Sequence, residues 1–160
     1  MSLILQIPPV EPSASLRTAF LLRLTGDALS SISGYPADLG ILPELIDWLD
    51  DLDQAWICVL RSQVWVPPTK GGADLTLDTE SDTGVSAGSP MSQTERTRLR
   101  SLLVAGEATL EVWLAGVDTE EVDLETTFER LGVQDKLDNI FSRTLQEVGG
   151  LGGTIEPGLD

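Results

Sequence analysis

From Leu42 to Leu60 the apolar residues recur in steps of three and four. Leu42, Leu45, Leu49, Leu52, Trp56 and Val59 fall on one stripe of a helix turning about 100° per residue. Ile41, Ile46, Trp48 and Leu60 widen the stripe to roughly half the circumference. Glu44, Asp47, Asp51 and Gln54 fall opposite. Pro43 stands in the first turn, where a missing N–H leaves nothing unpaired. Acids early and Arg61 late suit the helix dipole. The pattern predicts one well-defined helix that ends before Pro67-Pro68.

The same reading finds four more helices. One starts at Ser13 or Ser15, either of which can cap it, and runs to about Ser33. Phe20, Leu21, Leu24, Ala28 and Ile32 line one side of it, Leu22 and Leu29 form a second stripe, and Gly26 is a point of weakness. Ser92-Gln93-Thr94-Glu95 has the spacing of a capping box and opens another helix. Leu99, Leu103, Gly106, Leu110, Trp113 and Val117 share its face with Leu102, and Gly106 invites a neighbouring helix to approach. Glu107 and Glu111 lie off that face. A short helix over 120–131 ends at Gly132 as a left-handed cap, and a last one spans Gln134 to Val148 with Leu137, Ile140, Phe141, Leu145 and Val148 inward.

Three stretches lack a helical period. Residues 1–12 carry Leu3, Ile4, Leu5 and Ile7 with Pro8, Pro9 and Pro12, and read as an extended arm. Residues 67–91 contain no aromatic residue and are rich in Gly, Ser, Thr and Asp, and read as a long flexible loop. Residues 149–160 open on Gly149-Gly150-Leu151-Gly152-Gly153 and read as a tail. Together these predict an all-α protein, an antiparallel helical bundle of about five helices, as a single domain over 1–148. The alternative is that the loop separates two helical pieces, neither with an ample core.

Charge and composition then narrow the chemistry. Ten basic and 26 acidic residues give a net charge of −16, which repels a nucleic acid. There is no histidine, so imidazole catalysis and histidine metal ligation are excluded. Cys58 is the only cysteine, so no disulfide forms within the chain. Cys58 reads as an inert small residue, with a reactive thiol next to Arg61 as the alternative. No apolar run is long enough for a membrane span, and the first residues lack the basic start of a secretory signal, so an intracellular protein is expected. Asp78 to Gly84 resembles a calcium loop, but its glycine comes one place late and Ser89 stands where a bidentate Glu is required. No metal and no cofactor are expected. Thr79, Ser81 and Ser89 carry short patterns of the kind kinases read.

A few residues stand out as candidate contacts. Asp53 projects within the apolar arc of its helix and must find a cation, such as Arg17 or Arg23, or meet a partner protein. Trp65 falls on the polar side if the helix continues, beside Val64 and Val66, and would then anchor an interface. If the helix has ended, Trp65 instead folds back on the N-terminal arm. From Glu107 onward 13 acids face 3 basic residues, and Glu120, Glu121 and Asp123 concentrate that charge before a helix. They either favour the helix dipole or form an acidic docking surface. The partner-binding candidates are therefore Trp65, Val66, Asp53, Glu120, Glu121 and Asp123. The leading expectation is a non-catalytic adaptor or assembly subunit that binds another protein. The alternative is an acidic chaperone or escort for a basic client such as a ribosomal protein or histone. An enzyme would need two carboxylates converging in a pocket.

Overall fold

The structure, a computed structural model, describes residues 1–75, 91–117 and 124–150. It is a helical bundle. The elements in chain order are α1 (Ser2–Leu5), α2 (Ser13–Ile32), α3 (Leu42–Leu60), β1 (Val64–Val66), β2 (Gly71–Ala73), α4 (Gln93–Ala115), α5 (Leu124–Leu131), α6 (Gln134–Asp138) and α7 (Ser142–Gly149). The long helices α2 and α3 run in opposite directions, since Arg17 meets Gln63 at one end and Thr25 meets Trp56 further along. Helices α2 and α4 run in the same direction, with Gly26 against Leu102 and Leu29 against Gly106.

Helix α3 is the hub. Leu42, Ile46, Leu49, Leu52 and Trp56 are completely buried, as the stripe predicts. Asp53 is buried too, as its place within the apolar arc requires, and Ala55 and Cys58 are buried as well, which the stripe does not predict. Leu45 and Val59 are only partly buried. The reason is that α3 is covered from more than one side: α2 packs on the apolar stripe, while α6, α7 and the β1–β2 hairpin close over much of the remainder. Burying a polar group is tolerable only when it is hydrogen-bonded. The Trp56 indole N–H therefore donates to Thr25 Oγ1 at 3.0 Å, and the Thr25 hydroxyl donates to the Leu21 carbonyl at 2.8 Å.

The start of α4 follows the capping-box expectation. Glu95 N–H donates to Ser92 Oγ at 3.3 Å, and Ser92 N–H donates to Glu95 Oε2 at 2.9 Å. The end of α5 is a Schellman turn: Gly132 has φ +68°, Gly132 N–H donates to the Glu129 carbonyl, and Val133 N–H donates to the Phe128 carbonyl.

Several expectations need correction. The N-terminal arm is not wholly extended: Ser2–Leu5 form one helical turn ahead of the prolines, and Leu5 is buried. Ser13 and Ser15 do not cap α2; Pro12 stands at its N-cap, and Ser15 Oγ donates to the Pro12 carbonyl at 3.1 Å. Phe20 leaves the apolar side and is about half exposed. Residues 67–75 are ordered rather than a flexible loop. Pro67–Thr69 form a short 3₁₀ turn, Lys70 takes a left-handed conformation at φ 47°, and Gly71–Ala73 pair antiparallel with Val64–Val66. Gly72 faces Trp65, and a Cβ there would lie 2.2 Å from Gln63 Oε1, so the strand pair needs glycine at that point. The last helix is two pieces, α6 and α7, separated where Phe141 turns left-handed at φ 53° and buries its ring. Residues 76–90, including the calcium-like run and Thr79, Ser81 and Ser89, lie outside the described residues, as do residues 151–160 of the tail.

The two glycines in the α2–α4 contact differ in a measurable way. A Cβ on Gly26 would meet Leu102 at an ordinary 3.6 Å, and Gly26 does not break α2. A Cβ on Gly106 would lie 2.6 Å from Leu29 Cδ1 and 3.2 Å from its Cγ. Gly26→Ala should stabilise the protein by up to about 1 kcal/mol, the helix-propensity gain alone. Gly106→Val should destabilise it by about 1–3 kcal/mol, because the buried Leu29 must move. Urea unfolding of both variants checks the contrast, and a stabilised Gly106→Val would show that the helices do not approach there.

Candidate functional site

Asp53 is 1% exposed and is closed off from any partner. It pairs neither with Arg17 nor with Arg23 but with Arg143 of α7. Arg143 Nε donates to Asp53 Oδ2 at 2.7 Å, Thr144 N–H donates to Oδ1 at 3.0 Å, and Thr144 Oγ1 donates to the Asp53 carbonyl at 3.2 Å. Arg143 also pairs with Asp50. Burial alone would lower the Arg143 pKa, but the bonds and charges of Asp53 and Asp50 outweigh it and hold the guanidinium above its ordinary value. Asp53 thus docks α7 on α3. Arg23 pairs with Asp27 on the surface of α2.

Trp65 is also part of the interior. It is 8% exposed, while Val64 on the opposite side of the strand is exposed and Val66 is half-buried. The helix wheel misplaces Trp65 because α3 has ended at Leu60 and a strand, with its two-residue alternation, has begun. Its strand pairs with Gly71–Ala73 and not with the N-terminal arm. Cys58 is fully buried. Its thiol donates to the Gln63 carbonyl at 3.2 Å and accepts from Arg17 Nη2 at 3.1 Å. Burial pushes the Cys58 thiol up, more than Arg17 pulls it down. Glu120, Glu121 and Asp123 lie outside the described residues.

Among the described residues several depressions open to solvent, two of them walled by residues of three elements. The first, of about 450 Å³, lies between α4 and the α5–α6 segment. Its floor is Leu110, Leu114, Phe128, Leu137 and Ile140, and its rim carries Glu107, Glu111 and Asp138. None of the described lining residues is basic. Glu107 and Glu111 lie one helical turn apart on α4 and share a side of it. Burial pushes the Glu107 carboxyl above its ordinary value, and the negative charges of Glu111 and Asp53 push it further. Gln134 Nε2 donates to Asp138 Oδ1 at 2.9 Å, while Gln134 Oε1 is buried with no hydrogen-bond partner.

The second groove, of about 260 Å³, lies where the end of α2, the α2–α3 connection and the end of α4 meet. It is almost wholly apolar, with Ile32, Tyr35, Ile41, Leu45, Trp48 and Trp113 in its walls. Tyr35 is 68% exposed and Ile41 47% exposed. The Trp113 indole N–H donates to the Tyr35 carbonyl at 2.8 Å and ties the α2–α3 connection to α4. Trp113 also borders a shallow depression on α4 that leaves Val112 75% exposed.

Neither groove is apparent from the sequence. Their walls mix residues from three elements, so no single helix stripe marks them. The available signals are like charges at Glu107 and Glu111 beside Leu110 and Leu114, and a connection between α2 and α3 that carries Tyr35 and Ile41.

The raised Glu107 has a consequence for stability. An acid that holds its proton more tightly when folded costs stability once it ionises. That cost is present above its raised folded pKa and disappears as pH falls below the ordinary carboxylate range. Glu107→Gln should therefore melt at a higher temperature than the parent near neutral pH, and the difference should vanish in acid. Thermal unfolding of both proteins across pH checks this, and a lower melting temperature for the variant at neutral pH would contradict it.

Among the described residues no helix is long and apolar enough to cross a membrane, and no three acidic or cysteine side chains are grouped to hold a metal ion. No protein-family model matches the chain, and no curated protein or solved structure matches it significantly.

Proposed function

We propose that this chain is a non-catalytic helical interaction domain, an adaptor or assembly subunit that docks an amphipathic helix of another protein. The observation that carries the reading is the Tyr35–Trp113 groove. It gathers three aromatic side chains and three aliphatic ones around an open depression, with Tyr35 mostly and Ile41 nearly half exposed to water. Exposed apolar patches of this kind are where folded proteins meet partners, and aromatic anchors dominate such contacts. The exposed acids Asp38 and Glu44 flank Ile41 in the chain, so the matching helix carries an apolar ridge with basic residues beside it.

The carboxylate-enzyme reading has weaker support. The first groove does bring acids together, but Glu111 and Asp138 are exposed. Glu107 is the one lining acid with the shelter that a general acid needs to keep its proton. The escort reading is favoured by the net charge of −16 and by that same acid rim. The two binding readings differ in salt response: an apolar interface tolerates salt, and an acidic one weakens with it.

Ile41→Glu and Val112→Glu test the leading reading. Both residues are exposed, so the variants should unfold within about 0.5 kcal/mol of the parent. Affinity capture from native lysate at low and high ionic strength should retain a defined set of proteins on the parent at both salts and lose it on Ile41→Glu. A set that survives Ile41→Glu but washes off at high salt would favour the escort reading instead.

A further inference from the structure

We propose that the groove between α4 and the α5–α6 segment is a receptor for an arginine side chain presented on an apolar segment of a partner protein. It lies on a different face from the Tyr35–Trp113 groove and shares with the reading above only the premise that the chain binds other proteins.

Three observations fix the chemistry of the occupant. The floor is apolar, so the ligand brings apolar surface. The rim is three carboxylates with no basic residue among the lining, so the ligand brings positive charge. Two cations of the neighbouring helices are already engaged elsewhere: Lys136 pairs with Asp47, and Arg143 with Asp50 and Asp53. The third observation is the Gln134 Oε1 atom, which is buried and accepts nothing. Left so, it carries the cost of an unmet acceptor, which a swing of the Gln134 amide toward an incoming N–H relieves.

The same facts choose among cations. Among the described residues no three acids are grouped to hold a metal ion. The carboxylates are therefore spread as a rim and not gathered as a ligand cage. An ammonium offers one compact charge, whereas a guanidinium offers five N–H donors in a flat fork that can serve several separated acceptors. Its aliphatic stem suits Leu110 and Leu137, and its flat face suits the Phe128 ring. Burial first, and then the negative charges of Glu111 and Asp53, hold the Glu107 carboxyl above its ordinary value, and no cation among the described lining residues offsets them.

The test uses isotope-labelled full-length protein and a short amphipathic peptide of leucine and arginine, with a matched peptide in which citrulline replaces arginine. Citrulline keeps the shape and removes the charge. The arginine peptide should bind about tenfold more tightly than the citrulline peptide. Its backbone shift changes should centre on Leu110, Phe128 and Leu137. Glu107→Gln/Glu111→Gln should lose about tenfold in affinity for the arginine peptide while keeping the parent's far-ultraviolet circular dichroism. Ile41→Glu should bind the peptide as the parent does. Equal binding of the two peptides, no binding of either, or shift changes centred on Tyr35 and Trp113 would each overturn the proposal. So would shift changes at the groove on adding calcium alone. Loss of native partners on Ile41→Glu is read separately, so failure of this site leaves the Tyr35–Trp113 reading standing and the reverse.

Discussion

A carboxylate that leaves water must take a counter-charge with it, and the way Asp53 meets that demand organises the whole bundle. The price of burying its charge is met by Arg143 and by the Thr144 backbone, both on a helix some ninety residues further along the chain. The consequence is geometric. Helix α7 cannot slide or turn on α3 without leaving the carboxylate unpaired, so a short C-terminal helix is held in one register. Asp47, Asp50 and Asp51 repeat the arrangement nearer the surface, with Lys136 of α6, Arg143 of α7 and Lys70 of the hairpin. The acids that make one face of α3 polar are thus also what fastens its neighbours to it.

This explains how far the sequence carries. The α3 stripe, the α4 capping box, the Gly132 cap and the close approach at Gly106 are all legible, because each depends on residues near one another in the chain. The partner of Asp53 is not. Its helix-wheel position shows that a cation is required, but choosing Arg143 over Arg17 or Arg23 requires knowing that α7 crosses α3. Trp65 is misplaced for a related reason. A periodicity argument holds only while the helix lasts, and nothing in Arg61-Ser62-Gln63 announces that it has stopped. The break inside the last helix is equally hidden, since the left-handed Phe141 is not a residue type that favours such a turn.

The interior arrangement also determines what the surface has left. Among the described residues, five of the ten basic side chains pair with carboxylates, three of them with the acids of α3. With 26 acids in the chain, Glu107, Glu111 and Asp138 are left without a cation in their groove. The apolar Tyr35–Trp113 groove has a different origin. The α2–α3 connection is drawn onto α4 by the Trp113 hydrogen bond, and this leaves Tyr35 and Ile41 facing out rather than covered. One groove is a product of charge imbalance and the other of how a turn is anchored.

The most direct test of the central claim is a double-mutant cycle of Asp53→Asn and Arg143→Gln, read by urea unfolding. If Asp53 holds α7 on α3 through Arg143, the two changes are strongly non-additive, with a coupling of about 1–3 kcal/mol. Additive changes, with no coupling beyond the error of the measurement, would mean that α7 is held by its apolar contacts alone.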